Sequence, residues 1–203
     1  MSIVKLSNNG VKNATAIGSI TALGSMIFIK KLTASSSATL SFVDGSNGVV
    51  LDDTYKEYLF TFKNIHPETD GQQFKFQTST NGGSSYGTTI TSTYFIAYHN
   101  ENGSEQSLTY ITGSDQAQTT NFMVLGSGDN QSDSGIGGTM NLFNPSSTFV
   151  KHFMARTIND PSSYAQDEHT AGYFNTTSAI NAVQFKFASG NIDAGDICLY
   201  GIA

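Results

Sequence analysis

The chain has 203 residues, of which 38% are hydrophobic, 11% aromatic and only 13% charged. This length suits one β-sandwich or barrel and allows a sizeable core without metals or disulfides. Ten Lys and Arg against sixteen Asp and Glu give a net charge of -6, and Arg156 is the only arginine, so the composition argues against a nucleic-acid partner.

The N-terminal segment, residues 1–24, consists mainly of small and polar residues. Because such a weakly apolar segment buries little surface by itself, we expect an arm that is either loosely ordered or packed onto a neighbouring subunit. Its first ten residues lack the apolar stretch of a signal peptide, and no run in the chain reaches the ~18 apolar residues of a membrane span. We therefore expect synthesis in the cytosol, without secretion or membrane insertion.

From Met26 onward, apolar and polar residues alternate with a period of two between turns rich in Gly, Asn, Asp and Ser. This pattern predicts β-strands, and no window sustains a helical period for three turns. The predicted strands are residues 25–31, 38–43, 55–64, 73–80, 89–98, 107–112, 120–125, 138–143, 148–157, 170–175, 179–188 and 196–202. A dozen strands without crossover helices predict an all-β domain over residues 25–203, an antiparallel two-sheet sandwich that is jelly-roll-like, with a closed barrel as the alternative.

The end of the chain keeps strand character over residues 199–203, which predicts that the final strand is inserted in a sheet. Cys198 is the only cysteine, so an intrachain disulfide is impossible, and we predict that it is a small core residue. The segment 79–86, STNGGSSY, is interpreted as a β-hairpin turn because Asn-Gly-Gly tolerates positive φ angles.

Hydrolysis of a sugar would require two carboxylates roughly 5–9.5 Å apart. The candidates are Asp52, Asp53, Glu57, Glu68, Asp70, Asp167 and Glu168. Because each lies in or beside a polar loop or at a strand edge, we interpret them as solvated residues and predict no catalytic site. The four histidines lack the spacing that would place two ligands on one metal ion. We therefore predict no metal site, and we predict no cofactor. Residues 126–135 are rich in oxygen ligands but lack the EF-hand order, so calcium binding there is only a hypothesis.

Sugar-binding sandwiches commonly present aromatic rings to pyranose rings, and this chain has nine tyrosines but no tryptophan. If the domain is a carbohydrate-binding module, its predicted ligand-binding residues are Tyr86, Tyr94, Tyr98, Tyr110 and Tyr173. The alternative interpretation places these rings at the edge of the core.

The sequence of residues 180–202, INAVQFKFASGNIDAGDICLYGI, resembles the closing hairpin of virion proteins from tailed phages of marine bacteria. Further similar stretches are Asp53–Tyr58, Phe60–Pro67, Ala97–Glu101 and Thr170–Asn175. In this hairpin, Gly190 and Gly195 predict tight turns that return the last strand beside residues 183–187.

The resemblance implies a non-enzymatic structural or adhesive protein of the virion, with a jelly-roll domain, of the fibre, tail-associated or capsid-surface type. It also implies a homo-oligomer whose partners are neighbouring virion subunits, and it brings no catalytic residues. A glycan on the host surface is a further expected partner.

Overall fold

The computed structural model describes residues 25–203, apart from the side chain of Ser162, and the predicted arm at residues 1–24 lies outside them. The strands are β1 Met26–Thr33, β2 Leu40–Val43, β3 Glu57–Pro67, β4 Gln72–Ser79, β5 Ile90–Asn100, β6 Gln106–Tyr110, β7 Gln116–Thr119, β8 Met123–Gly128, β9 Ile136–Phe143, β10 Lys151–Asn159, β11 Tyr164–Phe174, β12 Ala182–Phe187 and β13 Ile192–Ile202. One short 3-10 turn, Pro161–Ser163, separates β10 from β11. Two antiparallel sheets pack together, which confirms the predicted all-β sandwich.

Eight of the strands have the order of a jelly roll. The larger sheet runs β1-β13-β3-β9 and then continues, and the smaller sheet is β2-β12-β4-β8. When these eight strands alone are numbered along the chain, the two orders become 1-8-3-6 and 2-7-4-5. This is the strand order produced when two Greek keys wrap around one core.

The other five strands are insertions that extend one sheet. β5, β6 and β7 follow β4 in sequence, and β10 and β11 follow β9. All of them add to the larger sheet beyond β9, in the order β10-β11-β5-β6, with β7 also paired to β5. Residues 25–203 therefore consist of a jelly-roll core and an extension of the larger sheet.

Aromatic side chains fill the space between the two sheets. The predicted alternation is confirmed, because Phe60 and Phe62 of β3, Phe74 of β4 and Phe185 of β12 are all buried. The ring of Phe185 lies 5.3 Å from Phe60, 5.4 Å from Phe62 and 5.9 Å from Phe74. Aromatic pairs at these separations stabilise a core beyond the area that they bury.

The final strand lies inside the larger sheet, as predicted. β13 pairs with β1 on one side and with β3 on the other. The predicted closing hairpin is wrong, however, because β12 belongs to the smaller sheet and pairs with β2 and β4. Gly190, with a φ angle of 72°, lies in the turn between β12 and β13, as predicted. The tight turn predicted at Gly195 is wrong, because this residue, with a φ angle of 116°, lies at an irregularity within β13.

Other details differ from the sequence-based expectation. Cys198 is only half-buried, because its neighbours Ile197 and Leu199 take the core-facing positions of β13. The turn at residues 79–86 joins strands of different sheets and is therefore not a hairpin. β11 begins at Tyr164 rather than at residue 170, and β7 was not predicted. Residues 25–203 contain no helix that is long and apolar enough to cross a membrane.

Candidate functional site

The sheet extension has an exposed surface made of the outward-facing side chains of β10, β11, β5 and β6, which we call the outer face. Directly opposed residues of antiparallel strands share a face, so the register aligns these side chains in rows. One row consists of Arg156, His169, Phe95 and Tyr110. The adjacent row consists of Ile158, Asp167, Ala97 and Leu108.

Large apolar side chains are exposed on this face. Leu108 is 72% exposed, Ile158 54%, Met154 53% and Phe95 37%, and they come from three strands of the extension. Single exposed apolar residues are ordinary, whereas several large ones on one sheet face are typical of an interaction site. The outer face has the chemistry of a protein-binding surface.

The centre of the outer face is held in place by stacking and by one ion pair. The rings of Phe95 and His169 are 4.8 Å apart and nearly parallel, at 4°. Arg156 donates from Nε to Oδ1 of Asp167 at 2.8 Å and from Nη2 to Oδ2 at 2.7 Å. The Arg156 guanidinium lowers the pKa of the Asp167 carboxyl, and Nε2 of His169 lies 3.2 Å from Oδ1 of the same carboxyl. These contacts make the face a preorganised surface.

The five predicted tyrosines do not line one groove. Tyr110 and Tyr173 both lie on the outer face, where they oppose Phe95 and Thr91 of β5. These partners are four residues apart, which corresponds to about 13 Å along a strand. Tyr98 is half-buried beside Tyr164 at a ring distance of 5.7 Å.

The remaining two tyrosines lie elsewhere. Tyr86 lines a small cavity of about 300 Å³ beside the end of β4. Tyr94 is only 3% exposed, so its ring belongs to the core and the expectation that it contacts a ligand is wrong. The arrangement therefore provides no single tyrosine platform.

Glu168 lies within β11 and not in a loop, and its side chain is completely buried. Its Oε1 accepts hydrogen bonds from the Ser127 N–H, from Asn159 Nδ2 and from Gln166 Nε2, each at 2.8 Å. Its Oε2 has no hydrogen-bond partner among the described residues. Burial raises the pKa of this carboxyl to about 7.

Glu168 helps to satisfy the backbone of β8, the free edge strand of the smaller sheet, because it accepts from the Ser127 N–H. Polar side chains of the extension hydrogen-bond to the backbone of the edge strand β8: Thr157 to Leu125 O, Thr170 to Val124 O, and Asn159 to Ser127 O. Buried backbone groups require such partners, so these polar core residues close the edge of the sandwich.

The carboxylates Asp167 and Glu168 cannot act as a pair, because consecutive strand residues point to opposite faces of a sheet. Asp167 lies on the outer face with Arg156, and Glu168 points into the core. Among residues 25–203 no group of three or more His, Cys, Asp and Glu side chains could hold a metal ion.

A polar cleft of about 1040 Å³ lies at one end of the sandwich, where the extension meets the jelly-roll core. Its walls come from β3 and β13 of the core, from the ends of β5 and β10, and from the loop before β9. Asp160 connects the end of β10 to the loop before β9, since its Oδ1 accepts from Ser134 Oγ at 2.8 Å and from Gly135 N at 3.2 Å.

Neither the outer face nor the cleft could be recognised from the sequence, because both depend on how inserted strands are ordered in the sheet. The available signal was the alternation in HFMARTI, residues 152–158, whose exposed positions include Met154 and Ile158. Comparison of the chain with models of protein families, with curated proteins and with solved structures finds no match.

Proposed function

We propose that the protein is a non-enzymatic structural component that assembles with copies of itself through the outer face, as a subunit of a phage-like virion. The observation that carries this proposal is the exposure of Leu108, Ile158, Met154 and Phe95 on one face of the sheet extension. Burial of apolar surface is the main favourable term in protein association, and exposed patches of this kind mark interfaces.

A second copy of the chain fits this face because the face carries no net charge. Arg156 and Asp167 are the only Lys, Arg, Asp or Glu side chains that face outward on its four strands, and they neutralise one another. The whole chain has a net charge of -6, so most of its surface repels another copy. Electrostatic repulsion between two copies is therefore weakest at the outer face.

The stacking of Phe95 on His169 favours assembly over sugar binding at this face. Each ring covers one face of the other, so these faces are not available to a pyranose ring. A second β-sheet surface instead packs against projecting side chains, as in the contact between two sandwich layers. The virion assignment is supported by the resemblance of residues 180–202, 53–58, 60–67, 97–101 and 170–175.

The solution mass of the full chain tests this proposal. We expect light scattering at micromolar concentration to give a multiple of the 21.7 kDa chain mass. High salt should not dissociate the assembly, because apolar contacts are not screened. A mass of one chain over the accessible concentration range would contradict the proposal.

The arm at residues 1–24 is expected to add to assembly. It leads directly into the edge strand β1, where Met26 and Phe28 are exposed. A chain that begins at Ser25 should melt within a few degrees of the full chain but assemble more weakly, as measured by light scattering. An unchanged assembly would remove the role that we assign to the arm.

A further inference from the structure

We propose that the cleft between the jelly-roll core and the sheet extension binds a non-anionic oligosaccharide. This inference rests on other residues than self-assembly, because Leu108, Met154 and Phe95 lie outside the cleft and only Ile158 belongs to both surfaces. The volume of about 1040 Å³ is at the upper end of the ~300–1,000 Å³ typical of small-ligand sites. It accommodates a short chain of sugar rings better than a single ring.

The polar groups of the cleft match sugar hydroxyls. Four asparagine amides, Asn64, Asn100, Asn130 and Asn159, line it together with serine hydroxyls, histidine rings and carboxylates. Amides and hydroxyls both donate and accept, as sugar hydroxyls do, so each can form paired hydrogen bonds with a sugar. A lysine side chain, by contrast, offers donors only and would leave the amide donors of the cleft unpaired.

The charge of the cleft decides which sugars fit. Glu101, Asp133, Asp160 and Asp193 line it, and no Lys or Arg of the described residues does. Sialylated or sulfated glycans would bring further negative charge into the same space and are expected to be rejected. These carboxylates do not converge on one ion, in accordance with the absence of a metal-binding group among the described residues.

Several groups in the cleft have no partner within the described chain. The side chains of Glu101, Asp133 and His99 form no hydrogen bond or ion pair among the described residues, although all three line the cleft. Asn159 is 4% exposed, and its Oδ1 is a buried atom that has no hydrogen-bond partner among the described residues. Since Asn159 Nδ2 donates to Ser127 O and to Glu168 Oε1, the amide cannot be reversed and Oδ1 remains an acceptor.

Tyr164 and Ile158 supply the apolar part of the wall, against which the C–H face of a sugar can pack. The OH group of Tyr164 donates to Glu105 Oε2 at 2.7 Å, which fixes the position of the ring. The expected ligand therefore lies between an aromatic side and a carboxylate-amide side.

The test is binding of the full chain to a panel of immobilised neutral, amine-bearing, sialylated and sulfated oligosaccharides, with a lysine-rich peptide included. We expect neutral or amine-bearing members to bind and the anionic ones to fail. The double variant Glu101→Ala, Asp133→Ala should weaken binding of the strongest hit by about tenfold or more in calorimetry, because two hydrogen-bonding carboxylates are lost. Its melting temperature should be unchanged, since both side chains are exposed.

The matched control is Asp53→Ala, which removes an exposed carboxylate outside the cleft and should leave affinity unchanged. Three results would overturn the inference: no binding of any oligosaccharide at millimolar concentration, equal affinity of the double variant and the control, or binding of the lysine-rich peptide alone.

Discussion

Deletion of residues 199–203 is expected to abolish cooperative unfolding of the domain. These residues form the last part of β13, which pairs with β1 on one side and β3 on the other. The deletion removes Leu199 from the core and opens the sheet between its first and third strands. Loss of a buried Leu alone costs about 2–5 kcal/mol, and domains are stable by about 5–15 kcal/mol in total, so few folded molecules should remain.

Thermal melts followed by circular dichroism measure this effect. The matched control is deletion of Ala203 alone, an exposed residue whose N–H donates to Ser25 O, and it should lower the melting temperature by only a few degrees. If the chain without residues 199–203 melted like the full chain, the insertion of β13 between β1 and β3 would be refuted.

Replacement of Glu168 by Gln is expected to remove a pH dependence of stability. Burial raises the pKa of this carboxyl from 4.5 to about 7 in the folded chain, so the folded state holds the proton more tightly than the unfolded state. The contribution of this protonated carboxyl to the free energy of unfolding is therefore fully present below pH 4.5 and declines as the pH rises to 7. Each pKa unit corresponds to about 1.4 kcal/mol, which gives a loss of about 3 kcal/mol over this window.

The Gln side chain is neutral at every pH and keeps an oxygen that can accept from Ser127, Asn159 and Gln166. We expect Glu168→Gln to be more stable than the natural chain by about 2–3 kcal/mol above pH 8, in urea unfolding, with little difference at pH 4. Glu101→Gln, the same change at an exposed glutamate, should retain the original pH dependence. Equal stability of the Glu168 variant and the natural chain at pH 8 would show that this carboxyl is not buried as described.

The fold class was predictable because strand alternation is local information. In residues 58–62 and 183–187 every second side chain is apolar, and these are the positions that point into the core. Two adjacent carboxylates are typical of a solvated turn, so the sequence predicts a loop around Asp167 and Glu168. In the structure each carboxylate has its own partners, an arginine on one face and amides on the other, so charge does not exclude this segment from a strand.

The pairing of strands was less predictable than their existence. Residues 182–187 and 192–202 are adjacent in sequence and were expected to form a hairpin, yet they lie in opposite sheets. Jelly-roll wrapping pairs β13 with β1 and β3, which are distant in sequence, and no local pattern encodes that choice. For the same reason the proximity of His99, Asp160 and Asp193 in the cleft could not be inferred from their spacing.

Both candidate surfaces involve the inserted strands. The jelly-roll core supplies a rigid layer, and β5, β6, β10 and β11 provide the outer face and part of the cleft wall. Functional surfaces are commonly added to a stable scaffold in this way. A particle subunit that assembles through one surface and binds a glycan at another would combine the structural and adhesive roles that the sequence indicated.

The most direct test of self-assembly through the outer face is the solution mass of the double variant Leu108→Lys, Ile158→Lys. Both side chains are more than half exposed, so the changes should preserve the fold, but they place two positive charges in the apolar patch. We expect light scattering to give the mass of a single chain for this variant. Phe149→Lys, the same kind of change at an exposed residue outside the strands, should keep the assembled mass. An assembled double variant would contradict the account.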